Sequence, residues 1–216
     1  MPINSLEDVR PGDFMISGQN TAPNRVLVYA GQLLTRDHFR IGRFVAGHAA
    51  MITPGGKLVE AMPKGARERD LRETDWSPGH AYFRLPEDYP GQHLDAATIA
   101  RAMIDVPYSF RSYAYLGAFL AGFQPECLAR KIDQREEVKV HSLIRDLPQA
   151  WSLVQIPVEA ICSVLAEQCW TLTGKQVIRV TRPQVVTPGM LTQQLWMYPG
   201  VIGGGAGITF GNGSWR

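Results

Sequence analysis

The sequence predicts an α+β domain in which an antiparallel sheet packs against one cysteine-bearing helix. Three observations carry that expectation. Two short apolar runs flank Pro54-Gly55-Gly56, the composition of a hairpin between antiparallel strands. Residues 157–173 place Val158, Ile161, Leu165, Cys169 and Leu172 at helical spacing, with Pro157 suited to a first turn and Gly174 to a terminator. A chain of 216 residues, 45% hydrophobic and 19% charged, buries enough surface to fold around one core without metal or disulfide staples.

The elements follow in order. Pro11-Gly12-Asp13 is a turn signal, and residues 14–17 behind it read as a strand. Residues 19–24 read as a polar loop and residues 25–30 as a β-prone run. Residues 34–44 mix arginine with apolar side chains at helix-like spacing, Phe39, Arg40 and Arg43 straddling a short helix. The hairpin occupies residues 47–61, a loop residues 74–78, and a strand residues 81–85, stopped by Pro86. Asp95 is placed as the N-cap of a helix over residues 96–104, closed by Pro107. Residues 113–123 read as a buried helix segment, and residues 126–142 as a charged connection. After the cysteine helix, residues 176–180 read as strand-like, and Thr187-Pro188-Gly189 opens a helix over residues 190–195. One domain over residues 1–197 is expected, followed by a Gly-rich tail, residues 198–216, that makes no packed core element by itself.

Composition excludes several classes. The formal charge of +2 is too small for a protein that neutralises many phosphates, so nucleic acid is not an expected partner. Cys127, Cys162 and Cys169 form no Cys-x-x-Cys site, and with five scattered histidines no structural zinc pattern arises; no metal or other cofactor is implied. Residues 1–13 carry Glu7 and Asp8 and lack the apolar run of a signal peptide. The longest nearly apolar segment, residues 114–123, is 10 residues, against the ~20 of a bilayer span. The expectation is a chain made in the cytoplasm, with no membrane span.

Three side chains carry candidate chemistry. Cys162 lies in the opening turns of the best helix, where unsatisfied N–H groups and the positive end of the dipole favour thiolate. His48 begins the first arm of the hairpin and Glu60 ends the second. A turn centred on Pro54 sets them directly opposite, one centred on Gly55 makes them diagonal neighbours on one face, and one centred between the two residues separates them onto opposite faces. On a shared face the carboxylate accepts from one imidazole nitrogen and leaves the other free to act as a base. Thiol, imidazole and carboxylate are the nucleophile, base and orienter of a cysteine hydrolase.

The segment from His48 to Glu60 resembles the histidine strand and third-polar-residue strand of the NlpC/P60 superfamily of papain-like cysteine hydrolases, and Pro11-Gly12-Asp13-Phe14 resembles its opening turn and strand. Here the cysteine follows the histidine, in Ile161-Cys162-Ser163-Val164-Leu165-Ala166-Glu167, which resembles the helix start of the circularly permuted branch that includes YiiX/YebB-like hydrolases. Val106-Pro107-Tyr108-Ser109-Phe110 and Val186-Thr187-Pro188-Gly189-Met190-Leu191 are similar to stretches that flank that helix. The chain departs from the pattern in Val164, where the family has glutamate, and in an insertion around residues 115–150 that lengthens the gap from Tyr108 to Cys162.

The resemblance implies a circularly permuted papain-like fold with Cys162 as nucleophile, His48 as base and Glu60 as orienter. It implies a peptide or acyl substrate cleaved through an acyl-enzyme, with peptidoglycan peptides the superfamily default. Tyr108 and Arg43 are candidate substrate-binding residues: Tyr108 lines the cleft, and Arg43 belongs with Arg36 and Arg40 to a basic patch before His48. A second patch, Lys64, Arg67, Arg69 and Arg72, follows Glu60, and both would favour an anionic substrate. A phage-encoded hydrolase, virion-associated or delivered to the wall, needs no signal of its own. The competing readings are a lipid thioesterase or acyltransferase-like enzyme, and a structural protein whose tail docks into a second copy or a virion partner.

Overall fold

Turns rich in glycine and proline divide the chain into an antiparallel sheet with helices on one of its faces. The computed structural model describes residues 3–18, 40–41, 44–62, 64–73, 79–107, 162–178 and 186–205. The strands are β1 (Phe14–Gly18), β2 (Arg40–Ile41), β3 (Phe44–Thr53), β4 (Lys57–Met62), β5 (Gly65–Asp70), β6 (His80–Arg84) and β7 (Ile202–Gly204). They run in the order β5-β4-β3-β1-β6-β7, with β2 paired to the start of β3, and every pairing is antiparallel. The helices are α1 (Gln92–Ala102), α2 (Cys162–Thr171) and α3 (Pro188–Met197). The mixed α+β class and the antiparallel sheet are as the sequence predicts. No helix among the described residues is long and apolar enough to cross a membrane.

Alternation along the strands sorts the apolar residues onto two faces. Phe14, Ile16, Ala49, Met51, Val59, Ala61, Ala81 and Phe83 join α1, α2 and α3 in the main core. Met15, Ala50, Ile52, Leu58 and Tyr82 face the other way, into a smaller cluster with Ile3 and Leu71 that Leu6 and Val9 cover. Trp170 of α2 is the largest fully buried side chain among the described residues; it stacks on Phe14 with ring centroids 6.3 Å apart, meets His93 edge-on at 4.9 Å, and donates its indole N–H to the Gly12 carbonyl at 3.0 Å. Gly12 itself has φ +87° and no room for a side chain, since a Cβ there would lie 2.6 Å from the His93 carbonyl oxygen. These contacts fix the rotation and height of α2 over the sheet.

Both ends of α2 are pinned. Ser163 Oγ donates to the Val186 carbonyl at 2.5 Å, tying the residue after Cys162 to the approach into α3. Gly174, with φ +87°, ends the helix as its position suggests, while Lys175 N–H returns to the Trp170 carbonyl at 3.1 Å. α3 opens as Thr187-Pro188-Gly189 implies: Thr187 Oγ1 accepts from Met190 N–H at 3.1 Å and Pro188 takes the first turn.

Four expectations change. The helix expected over residues 34–44 gives way, where residues are described, to strands: Arg40 pairs with Val45 and Ile41 with Phe44, a local ladder that outcompetes helical spacing. α1 begins three residues before Asp95, with Gly91 at the cap in the left-handed region, so Asp95 sits inside the first turn and accepts from Tyr89 Oη at 2.8 Å. Gln176, Val177 and Ile178 are irregular rather than strand, although Val177 and Ile178 are buried in the core. The stretch expected as an unpacked tail supplies β7 on the edge of the sheet, paired with β6. A Cβ on Gly204 would overlap the Ile3 carbonyl, so only glycine permits this approach.

Residues 19–24, 25–30, 74–78, 113–123, 126–142 and 115–150, Cys127, and the tail beyond residue 205 lie outside the described residues.

Candidate active site

The hairpin turn sets the register of the site. Thr53 pairs with Lys57, Ile52 with Leu58 and Met51 with Val59, so the turn is centred on Gly55, and Gly55 and Gly56 supply φ values of +82° and +69°. His48 and Glu60 are therefore diagonal neighbours on one face, the second of the three geometries the sequence allows. The imidazole Nε2–H donates to Glu60 Oε2 at 2.9 Å.

Two irregularities place His48. Ser17 of β1 pairs with His48 but Gly18 pairs with Ala46, leaving Gly47 as an extra residue immediately before the histidine. Such a bulge breaks the alternation and re-aims neighbouring side chains. β3 and β4 also pair over three residue pairs only, all near the turn, whereas β4 continues to pair with β5 along its whole length. Beyond Met51 the hairpin forks, with His48 on one prong and Glu60 on the other.

The start of α2 meets the sheet at this fork. The Cys162 thiol lies beside the His48 ring and the backbone N–H groups of Ala49 and Ser163, close enough for each to favour its ionised form. With Nε2 turned to Glu60, Nδ1 is the ring nitrogen left to the sulfur. The structure thus brings Cys162, His48 and Glu60 together. All three are buried, Cys162 4%, His48 9% and Glu60 2% exposed.

Electrostatics favour a charged pair. Burial opposes ionisation of Cys162, but the imidazolium charge, its hydrogen bond and the two backbone N–H groups outweigh it and hold the thiol below its ordinary range. Burial likewise opposes protonation of His48, yet the thiolate charge and hydrogen bond, then those of Glu60, raise it to about 9. Glu60 is lowered to about 2 against burial, by the His48 hydrogen bond and charge, then by Arg69 and Arg67. Cys169, two turns further along α2, is buried and donates to the Leu165 carbonyl at 3.1 Å; burial pushes its thiol up, so it is inert by comparison.

The sequence reading missed how Glu60 is held. Arg67 and Arg69, placed there in a substrate-steering patch, lie on β5 beside Glu60: Arg67 is its direct cross-strand partner. Arg67 Nη2 and Arg69 Nε donate to Glu60 Oε1 at 3.0 and 2.9 Å, leaving Oε2 to the imidazole. The available signal was the alternation in Gly65-Ala66-Arg67-Glu68-Arg69-Asp70, which sets both arginines on one face of a strand. Asp13 organises its turn, as expected, by accepting from Arg10 N–H at 2.8 Å and from Arg84. Tyr108 and Arg43 lie outside the described residues.

Replacing Glu60 by glutamine removes the charge that helps hold His48 protonated while keeping a hydrogen-bonding group. In Glu60→Gln, turnover by a thiolate–imidazolium pair falls by roughly tenfold or more. The alkaline limb of its pH profile moves below the native one, a shift that full kcat/KM profiles of both proteins measure.

No family model, curated protein or solved structure matches the chain.

Proposed function

We propose that the protein is a cysteine hydrolase that cleaves an amide bond through an acyl-enzyme on Cys162, built on a circularly permuted papain-like plan of the NlpC/P60 kind. The observation that carries the reading is a single buried imidazole shared between a carboxylate, at 2.9 Å, and a thiol at the N-terminus of a helix.

In this scheme the Cys162 thiolate attacks the substrate carbonyl carbon, and backbone N–H groups at the helix start meet the developing oxyanion. The His48 imidazolium gives its proton to the leaving nitrogen as the C–N bond breaks. His48, now neutral, takes a proton from water, which attacks the thioester and regenerates the thiolate. Glu60 keeps Nε2 protonated and the ring aimed throughout. The proposed substrate is a peptide, with cell-wall peptides the first class to assay.

The test is the reactivity of the thiols as a function of pH. Iodoacetamide labels Cys162 faster than Cys127 and Cys169 at neutral pH, because the neighbouring imidazolium holds the Cys162 thiol below its ordinary range. Turnover has the opposite limit. It needs imidazolium, so it holds on the acid side of about 9 and is lost as pH rises through that value. Uniformly slow labelling of all three cysteines overturns the reading.

A further inference from the structure

The described residues contain a polar group beside this site that the scheme above does not use. Ser17 of β1 pairs directly with His48, on the flank of β3 opposite to β4 and Glu60. Directly paired residues present their side chains on one face, with Cβ atoms ~4.5–5.5 Å apart. Ser17 is 4% exposed, and its Oγ is buried without any hydrogen-bond partner. A buried hydroxyl is ordinarily satisfied, because an unmet one keeps its desolvation cost and returns nothing. Of the two direct cross-strand partners of Ser17, His48 and His80, the first already holds Glu60 through Nε2 and turns its other nitrogen toward the sulfur. Cys162 is equally covered, 4% exposed, so two buried polar groups flank the same imidazole, one on the neighbouring strand and one on α2.

Resting on the cysteine-hydrolase reading, we propose that Ser17 is a substrate-contacting residue whose hydroxyl accepts a hydrogen bond from the leaving amine. The step balances simply. The imidazolium proton of His48 passes to the amide nitrogen, the C–N bond breaks with its electron pair going to nitrogen, and the acyl carbon stays bonded to Cys162 Sγ. The departing amine then carries N–H groups next to the residue that protonated it, and Ser17 Oγ sits beside that residue. A thiolate leaving group has no N–H and departs without protonation, so Ser17 discriminates amides from thioesters. The site is thereby tuned for an amine-releasing reaction.

The experiment compares the full-length native chain with Ser17→Ala and Ser17→Thr, using N-acetylglycyl 4-nitroanilide and N-acetylglycyl thiobenzyl ester as a matched pair. Ser17→Ala turns over the anilide at least about tenfold more slowly and the thioester within about threefold of native. Ser17→Thr, which keeps the hydroxyl, recovers most of the anilide rate. Ser17→Ala also unfolds in urea at or above the native midpoint, since the hydroxyl it removes has no partner in the fold, and iodoacetamide labels its Cys162 at the native rate. Equal anilide turnover by Ser17→Ala, or an equal loss on both substrates, overturns the role of Ser17. So does a lowered urea midpoint accompanied by slowed labelling, which marks a structural hydroxyl. A native chain that labels rapidly at Cys162 but cleaves neither probe also overturns the leaving-group role, while the nucleophile stands. A native chain whose Cys162 labels no faster than the other cysteines overturns the hydrolase reading itself.

Discussion

Cys162→Ala is expected to abolish covalent capture of substrate and to lower amide turnover by at least about a thousandfold. The sulfur is the only atom removed, so the fold should survive. The neighbours of Cys162 hold α2 without it: Ser163 is bonded to Val186, and Trp170 is seated on Phe14 and Gly12. The loss therefore reads as chemistry and not as unfolding. The comparison that exposes it is intact-mass detection of acyl-enzyme during turnover, run beside thermal unfolding of both proteins. A variant that keeps native hydrolysis of the true substrate would sink the mechanism outright. Cys169→Ala is the control. Its thiol is buried, bonded to a carbonyl and pushed up by burial, so removing it should leave turnover unchanged.

Asp13→Ala should destabilise the fold by about 3–5 kcal/mol, the usual cost of breaking a buried ion pair from one side. Asp13 is fully buried, and Arg84, 12% exposed at its side chain, donates to both carboxylate oxygens at 2.8 and 2.6 Å. The same guanidinium reaches the Asp8 carbonyl at 2.6 Å, so the pair links the N-terminal segment, β1 and β6. Attraction is not the source of the effect. Burial pushes the Asp13 carboxyl up despite the hydrogen bonds and charge of Arg84, so ionising it inside the fold is harder than in water. By linkage, that raised value makes Asp13 more favourable to stability in acid and less so as pH climbs through it. What alanine removes is the carboxylate paired with the nearly buried Arg84 guanidinium, together with the acceptor for Arg10 N–H. Urea unfolding measures the change as a lowered midpoint at unchanged slope. An unaltered midpoint would show that Arg84 finds compensation elsewhere.

Local chemistry made much of this legible in advance. The hairpin was readable because Pro54-Gly55-Gly56 leaves the backbone few alternatives, and α2 and α3 because their apolar spacing and boundary residues agree. Juxtaposition of His48 with Glu60 followed from register counting, but the choice among registers belongs to the turn and appears only in three dimensions. What escaped the sequence was set by tertiary pairing. β5 is dense in charge and reads as a solvated patch until Glu60 is seen accepting from two of its arginines. β7 is built from glycine, which carries no strand signal, and exists because β6 offers an edge to pair with. The bulge at Gly47 is a similar case, since one extra residue leaves no trace in hydrophobic pattern. Asp95 shows the converse: a good capping residue marks no boundary here, because the chain turns at a left-handed glycine before it.

The contact of Gly204 with the Ile3 carbonyl has a kinetic meaning. It joins segments from opposite ends of the described chain, some of the longest sequence separations in the fold. The loop-closure entropy for so distant a meeting grows only slowly with length, yet it must be met before the contact returns anything. β7 has nothing to dock against until β6 and the segment around Ile3 are both in place. The rim of the sheet is accordingly expected to assemble after β6, with amide exchange in β7 the measure of how readily it opens.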